Sequence, residues 1–254
     1  MSRFEDLVAE GEAAPVEGWD FSWFDGRASE ERPPWGYANL VAGRIPTADA
    51  VLDVQTGGGE VFAGALAAAH GHRPGTVRAT ESWPPNVALA GDRLRPYGGE
   101  VAEAADDADL PYGEAVFDLV VSRHPTVVVW PEVARVLRRG GSYLSQQVGP
   151  GSVRELTDFM MGPQPVNDAR SPARARAQAD AAGLEMVDLR EKRLRMEFRD
   201  VGAVVHFLRK VVWIVPGFTV AGYARRLAAL HERIVEGGPF LAHSQRYLVE
   251  ARRR

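Results

Sequence analysis

A short apolar run that contains an acid and is followed by three glycines is the stretch of this 254-residue chain best suited to chemistry. Residues 51–54 favour a buried β-strand with Asp53 inside it, and glycines occupy positions 57–59 before a helical pattern begins at Glu60. Glycine lets the backbone approach a ligand closely, and a helix N-terminus presents free N–H groups. The pattern predicts a strand, a turn and a helix that together bind a ligand.

The glycine spacing separates the kinds of nucleotide site that such a turn could form. A dinucleotide fold needs a further glycine where Phe62 stands, and a phosphate-binding P-loop needs a lysine after the glycines, which is absent. An acid at the strand end suits a ligand with a positive charge, because Asp53 would offset an ammonium or sulfonium group. An ordinary tight turn without a ligand is the alternative for this motif taken alone.

Two further acidic positions follow predicted strands. Glu81 ends the strand-like run 76–81, where a carboxylate can accept both hydroxyls of a ribose. Asp106 and Asp107 stand in an acidic stretch that leads into Leu-Pro-Tyr at 110–112. The alternative for each of these acids is a solvated loop position.

From about Val51 to Val148 these segments resemble, in order and spacing, the class I S-adenosylmethionine (SAM)-dependent methyltransferases, as a methyltransferase type 11-like domain. The stretch 53–59 resembles the motif Asp-x-Gly-x-Gly-x-Gly, with Gln55 in place of its first glycine. The stretch 105–112 resembles Asp-Ala-x-x-Leu-Pro-Phe, and 132–141 resembles Glu-x-x-Arg-Val-Leu-Lys-Pro-Gly-Gly.

The resemblance implies that SAM is the cofactor and S-adenosylhomocysteine the product. The residues that it implies as cofactor ligands are Asp53, Gln55, Thr56, Gly57, Gly59, Glu81, Asp106, Asp107 and Ser122. Among them, Glu81 would bind the ribose, the Asp106 carboxylate would accept from the adenine amino group, and the Asp107 N–H would face the ring.

Two candidate catalytic residues follow the predicted strand 117–121. His124 could act as a general base near neutral pH, and Arg123 could orient a carboxylate or a phenolate. Local packing of His124 and a surface ion pair of Arg123 are the alternatives. Of the adjacent amides Gln146 and Gln147 only one can face the site, because neighbours in a strand point to opposite faces. No cluster of acids and histidines has metal-ligand spacing, so no metal is predicted.

The elements that must position these residues alternate between strand and helix. Strands are predicted near 51–54, 76–80, 99–103, 117–121, 142–148, 185–198 and 240–251, and helices of the core near 60–70, 84–95, 126–138 and 152–160. Such alternation indicates βαβ units and a parallel sheet. The predicted fold is α/β: a seven-stranded, mostly parallel, Rossmann-like sheet with an antiparallel last strand, plus a helical cap.

We predict four parts along the chain. They are an N-terminal aromatic arm and helix at 1–50, a SAM-binding α/β core at 51–198, a helical cap insertion at 199–239, and the last strand and tail at 240–254. The arm carries Trp19, Phe21, Trp23 and Phe24, which either fold over the cofactor as a lid or pack on the edge of the sheet.

Composition narrows the class of partner. The chain has no cysteine, no long apolar run and no signal-peptide pattern at its start, which predicts a cytoplasmic protein without a membrane partner. A net charge of −4 does not favour nucleic acid. The predicted function is methyl transfer from SAM to a small-molecule acceptor in an enclosed pocket. The alternatives are an RNA methyltransferase and a non-catalytic SAM-binding protein, the latter because Gln55 can crowd the methionine tail. The acceptor and the oligomeric state stay open.

Overall fold

The structure, a computed structural model, describes residues 3–16 and 21–254. Its α-helices are α1 (Arg3–Ala13), α2 (Tyr37–Arg44), α3 (Glu60–Ala68), α4 (Pro84–Leu94), α5 (Trp130–Val136), α6 (Arg154–Met161), α7 (Pro172–Ala181), α8 (Val201–Lys210) and α9 (Ala224–Gly237). Its strands are β1 (Ala28–Glu30), β2 (Ala50–Asp53), β3 (Thr76–Glu81), β4 (Gly99–Glu103), β5 (Phe117–Arg123), β6 (Leu137–Val148), β7 (Leu184–Phe198) and β8 (Phe240–Arg253). None of the helices in the described part of the chain is both long enough and apolar enough to cross a membrane.

The strands form one mixed sheet in the order β1-β7-β8-β6-β5-β2-β3-β4. Strands β2 to β6 run parallel to one another, and β8 lies between β6 and β7 and is antiparallel to both. This is the Rossmann-like sheet with an antiparallel last strand that the sequence predicts, and that prediction is confirmed.

An eighth strand was not predicted. The short segment β1 pairs antiparallel with the end of β7, where Ala28 lies opposite Phe198. Its sequence, Ala-Ser-Glu, has no alternating apolar pattern, so the strand exists because a long partner offers an unpaired edge. The N-terminal arm is thereby fixed to the sheet at the edge formed by β7.

The helix predicted over 126–138 is shorter in the structure. Helix α5 begins at Trp130 and ends at Val136, and β6 begins at Leu137, which pairs with Phe117 of β5. Gly140 adopts a positive φ of 78° within β6. Gly140 and Gly141, which come just after the predicted helix, therefore belong to the early part of β6.

Apolar residues cover both faces of the sheet. One core packs α2 and α3 against β2 and β5, and includes Val51, Val121 and Phe62. The opposite core packs α5 and α7 against the sheet around Leu52, Trp130 and Tyr143. Burial of these side chains on folding is the main stabilising contribution.

A third core lies between the helices around β7 and β8. Helices α1, α6, α8 and α9 contribute to it, and α8 is buried along almost its whole length. Helices α1 and α8 cross at Gly11 and Gly202, where a Cβ on Gly11 would lie 2.3 Å from the Gly202 carbonyl oxygen. The side chain of Asp200 accepts from the Ala203 N–H to cap α8 and also pairs with Arg27 at 2.8 Å. These contacts fasten the N-terminal segment to the helices between β7 and β8.

Candidate active site

A cavity of about 700 Å³ lies beyond the carboxyl ends of β2, β3 and β5. Its polar part includes Asp53 and Glu81, which end β2 and β3, and Asp106, which follows β4. Its apolar part includes Phe207 of α8, the segment after α8, and Phe21 and Phe24 of the N-terminal arm. Ligands of open α/β sheets bind at this edge. The predicted site residues and the apolar compartment therefore line one continuous cavity.

Asp53 is 6% exposed at the end of β2 and lines this cavity. Burial raises the pKa of its carboxyl to about 7 and Glu81 adds to the increase, although a 2.6 Å hydrogen bond from the Thr56 hydroxyl opposes it. With a pKa near 7, the carboxyl group is about half ionised at neutral pH, and a cationic ligand would stabilise the ionised form. This arrangement fits the positive charge that the sequence predicts for the cofactor.

Glu81 is held in place by backbone donors. Its two carboxylate oxygens accept from the N–H of Gly57 at 2.8 Å and from the N–H of Trp83 at 3.1 Å. Its remaining lone pairs are available to ribose hydroxyls. Trp83 and Asn86 also line the cavity and were not singled out from the sequence; the usable signal was an aromatic residue two positions after the strand-end acid.

Gln55 has φ +57°, in the left-handed region that glycine adopts most readily. Its side-chain oxygen accepts from the Thr126 N–H at 2.6 Å, and its amide nitrogen donates to the carbonyl oxygens of Val127 at 2.7 Å and Asp106 at 3.3 Å. The side chain therefore ties the loop after β5 to the loop after β4. This tether explains how a glutamine occupies a glycine position.

The other implied cofactor ligands are distributed unevenly. Thr56 and Asp106 line the cavity, and the Asp106 carboxylate accepts from the Thr126 hydroxyl. Asp107 is exposed. Ser122 is 1% exposed, and its hydroxyl is hydrogen-bonded to those of Tyr143 and Ser145, on the face opposite to the cavity.

The glycine turn brings α3 close to α4. Gly57 and Gly59 have φ values of 64° and 80°, and a Cβ on Gly59 would lie 3.1 Å from the Ala90 Cα. A side chain at Gly59 would be strained by both its backbone conformation and its surroundings.

Arg123 lines the cavity at the end of β5. Burial lowers the pKa of its guanidinium, while Tyr37, Glu30 and Asp53 oppose the decrease. Within the described ranges it forms neither an ion pair nor a hydrogen bond through its guanidinium. The predicted surface ion pair of Arg123 is therefore not seen among these residues.

His124 is fixed by a chain of hydrogen bonds. The Trp35 indole N–H donates to the Gln146 side-chain oxygen at 2.7 Å, and the Gln146 amide nitrogen donates to His124 Nε2 at 2.9 Å. Because indole can only donate, this order makes Nε2 an acceptor and leaves the ring proton on Nδ1. Burial, together with Arg123 and Arg246, holds the pKa of His124 well below its usual value. The neutral ring is thus favoured, and a low pKa makes it a weak proton acceptor.

A methyltransferase domain model matches residues 52–145. No curated protein sequence matches the chain.

Three solved structures are similar in fold. The YcgJ protein from Bacillus subtilis has a TM-score of 0.58 and 18% identity, covering 85% of this chain and 96% of that one. The [4+2]-cyclase SpnF has a TM-score of 0.53 and 18% identity over 98% and 91% of the two chains. Geranyl diphosphate methyltransferase, in complex with GPP and sinefungin, has a TM-score of 0.50 and 17% identity over 85% and 76%. Residues 52–145 are therefore a methyltransferase domain, and the chain has the fold of the class I SAM-dependent methyltransferases.

Proposed function

We propose that this protein transfers the methyl group of SAM to a small-molecule acceptor. The observation that carries the proposal is the single continuous cavity, which joins the strand-end acids to an apolar compartment walled by α8 and the N-terminal arm. A partly apolar compartment of this size suits a small molecule. A similar fold in geranyl diphosphate methyltransferase binds a small molecule, GPP, which supports the same class of acceptor here.

The residues at the polar end suit SAM chemically. Asp53 would offset the ammonium or sulfonium charge, Glu81 would accept from the ribose hydroxyls, and Asp106 would lie at the adenine end. Gln55, Thr56, Gly57, Gly59 and Asp107 complete the proposed set. The Ser122 side chain faces away from the cavity, so Ser122 is not kept as a side-chain ligand. The sulfonium, when bound, supplies an already activated methyl group. The chain's task is then to hold the acceptor atom in line with the methyl carbon and sulfur, which is a proximity effect.

Arg123 and His124 lie between the two halves of the cavity, and we assign them to positioning the acceptor. A neutral His124 with its proton on Nδ1 donates a hydrogen bond, and Arg123 offers a planar set of donors. Neither role requires a proton to be removed from the acceptor, so the assignment suits an acceptor atom that is already nucleophilic at neutral pH.

Isothermal titration with SAM and S-adenosylhomocysteine tests the cofactor. We expect binding to weaken about tenfold or more in Asp53→Ala, the loss of one charge-assisted contact. Asp180→Ala is the matched control, because its carboxylate is exposed on α7, on the other face of the sheet. Unchanged affinity in Asp53→Ala, or no binding by the wild-type protein, would contradict the proposal.

An acceptor screen that follows S-adenosylhomocysteine release tests the reaction. The fold by itself does not settle the reaction, since the [4+2]-cyclase SpnF is also similar in fold. Tight SAM binding with no release across phenols, carboxylates and amines would favour the non-catalytic alternative.

A further inference from the structure

Three basic side chains lie together in one part of the cavity. Arg123, His124 and Arg246 all line it where β5, β6 and β8 lie side by side. Arg246 is neutralised by Glu30 at 2.8 Å and also donates to the Ser152 hydroxyl at 3.2 Å. Arg123 forms no such ion pair within the described ranges, and Glu30, Asp53 and Glu60 act on it only through longer-range electrostatics.

The hydroxyl of Tyr37 also indicates that a hydrogen-bond acceptor is missing from this part of the cavity. Tyr37 is 6% exposed on α2, lines the cavity, and interacts electrostatically with Arg123. Its hydroxyl is buried and makes no hydrogen bond of good geometry among the described residues, although the Ser122 backbone is close enough to lower the pKa of Tyr37. A buried donor that stays unpaired is costly, and a ligand with acceptor oxygens would remove that cost.

The position of this donor group separates it from the cofactor acids. In the sheet order, Arg123 and Arg246 stand on β5 and β8, on one side of β2, whereas Glu81 ends β3 on the other side, and Asp106 follows β4. Glu81 and Asp106 thus lie towards one end of the cavity and the two arginines towards the other, with Asp53 between them and near enough to Arg123 for the two charges to interact. The basic end adjoins the apolar compartment that includes Phe207, Val211 and Ile214.

We infer that the acceptor of the proposed methyl transfer carries a carboxylate, which Arg123 binds together with the Tyr37 hydroxyl and the His124 Nδ1–H. A carboxylate matches the single unpaired charge and accepts two parallel N–H bonds from a guanidinium. The apolar body of the acceptor would lie against α8. The inference rests on the proposed function only in identifying this ligand as the methyl acceptor. Recognition of a carboxylate is testable without turnover.

The probes are 3-phenylpropanoate and its neutral amide, 3-phenylpropanamide, titrated calorimetrically with and without saturating S-adenosylhomocysteine. We expect the acid to bind about tenfold or more tightly than the amide, as for one charge-assisted contact. Arg123→Met should remove this preference and leave the amide unaffected. The matched control is Arg32→Met, which removes an exposed arginine from the rim of the same cavity.

The carboxylate of SAM itself is the other possible source of the anion. If Arg123 binds it, Arg123→Met weakens S-adenosylhomocysteine about tenfold and leaves the acid-to-amide ratio unchanged, and the inference is overturned. The inference is also overturned if the wild-type protein binds the acid and the amide with equal affinity, or binds neither measurably. This comparison does not require any variant to fold.

Thermal unfolding of the ligand-free protein supplies an independent readout. An unpaired, partly buried guanidinium kept for a ligand destabilises the fold, so Arg123→Met should raise the melting temperature by about 2 °C or more. A lower melting temperature would mean a structural role and would count against the inference. If the wild-type protein fails to bind SAM, the proposed function is contradicted. The carboxylate inference is still tested in that case, because the titration without S-adenosylhomocysteine does not depend on the cofactor.

Discussion

Lowering the pH from 7 to 6 is expected to weaken SAM binding about fivefold through a single group, Asp53. Burial and the neighbouring Glu81 raise the pKa of Asp53 to about 7. Half of the protein then carries the ionised carboxylate at pH 7, but only about one tenth does at pH 6. If the cationic cofactor requires the ionised form, the measured affinity falls by the ratio of these fractions.

The assay is calorimetric titration with SAM at both pH values, in two buffers of different ionisation enthalpy. At pH 7, binding should release about half a proton, because it draws the protonated half of the protein to the ionised form. Asp53→Asn keeps the shape of the side chain and should bind weakly with no pH dependence. An affinity that is constant in the wild-type protein, or an equal slope in Asp53→Asn, would refute the reasoning.

The raised pKa also has a consequence for folding, with a definite sign. The folded protein holds the Asp53 proton more tightly than the unfolded chain does, so this group favours folding at low pH and the contribution is lost as pH rises through about 7. At pH 8 the ligand-free Asp53→Asn variant should therefore melt above the wild-type protein, and bound SAM should narrow the difference.

Three further outcomes test other parts of the structure. His206 is 1% exposed, its ring centroid lies 4.7 Å from that of Trp23, and its pKa is lowered to about 4 by burial, then by nearby cations. The contribution of His206 to stability should therefore fall by up to about 2 kcal/mol between pH 7 and pH 5, opposite in sign to that of Asp53. In urea titrations, the stability difference between the wild-type protein and His206→Phe should change by that amount. Gln55→Gly should speed hydrogen exchange at the Thr126 amide, which donates to the Gln55 side chain; unchanged protection would contradict the tether. With an acceptor in hand, kcat at saturating SAM should show no His124 titration above pH 6, because its pKa is well below the usual value. A rise across pH 6 to 7 that is lost in His124→Asn would restore the general-base role.

Local patterns predicted the core of the fold well. The strands β2 to β5 and helices α3 and α4 lie within two residues of their predicted bounds, because burial periodicity and glycine turns are properties of short stretches. The boundary between α5 and β6 was wrong, since Leu137 joins the sheet by pairing with a residue twenty positions earlier. Strand β1 was missed for the same reason, because only the edge of β7 makes it a strand.

The same division holds for the site. The sequence alone determined the acids Asp53, Glu81 and Asp106 as a group, because strand ends of one parallel sheet meet at one edge. Tertiary structure decided which groups share a cavity with them: Tyr37 from α2 and Arg246 from the last strand carry no local signal for that place. It also decided protonation, since the pKa values of Asp53 and His124 depend first on burial and then on nearby charges, of which Glu81 and Arg246 are distant along the chain. Local sequence specifies residue types and their periodicity, whereas burial and electrostatics arise only when the chain is folded.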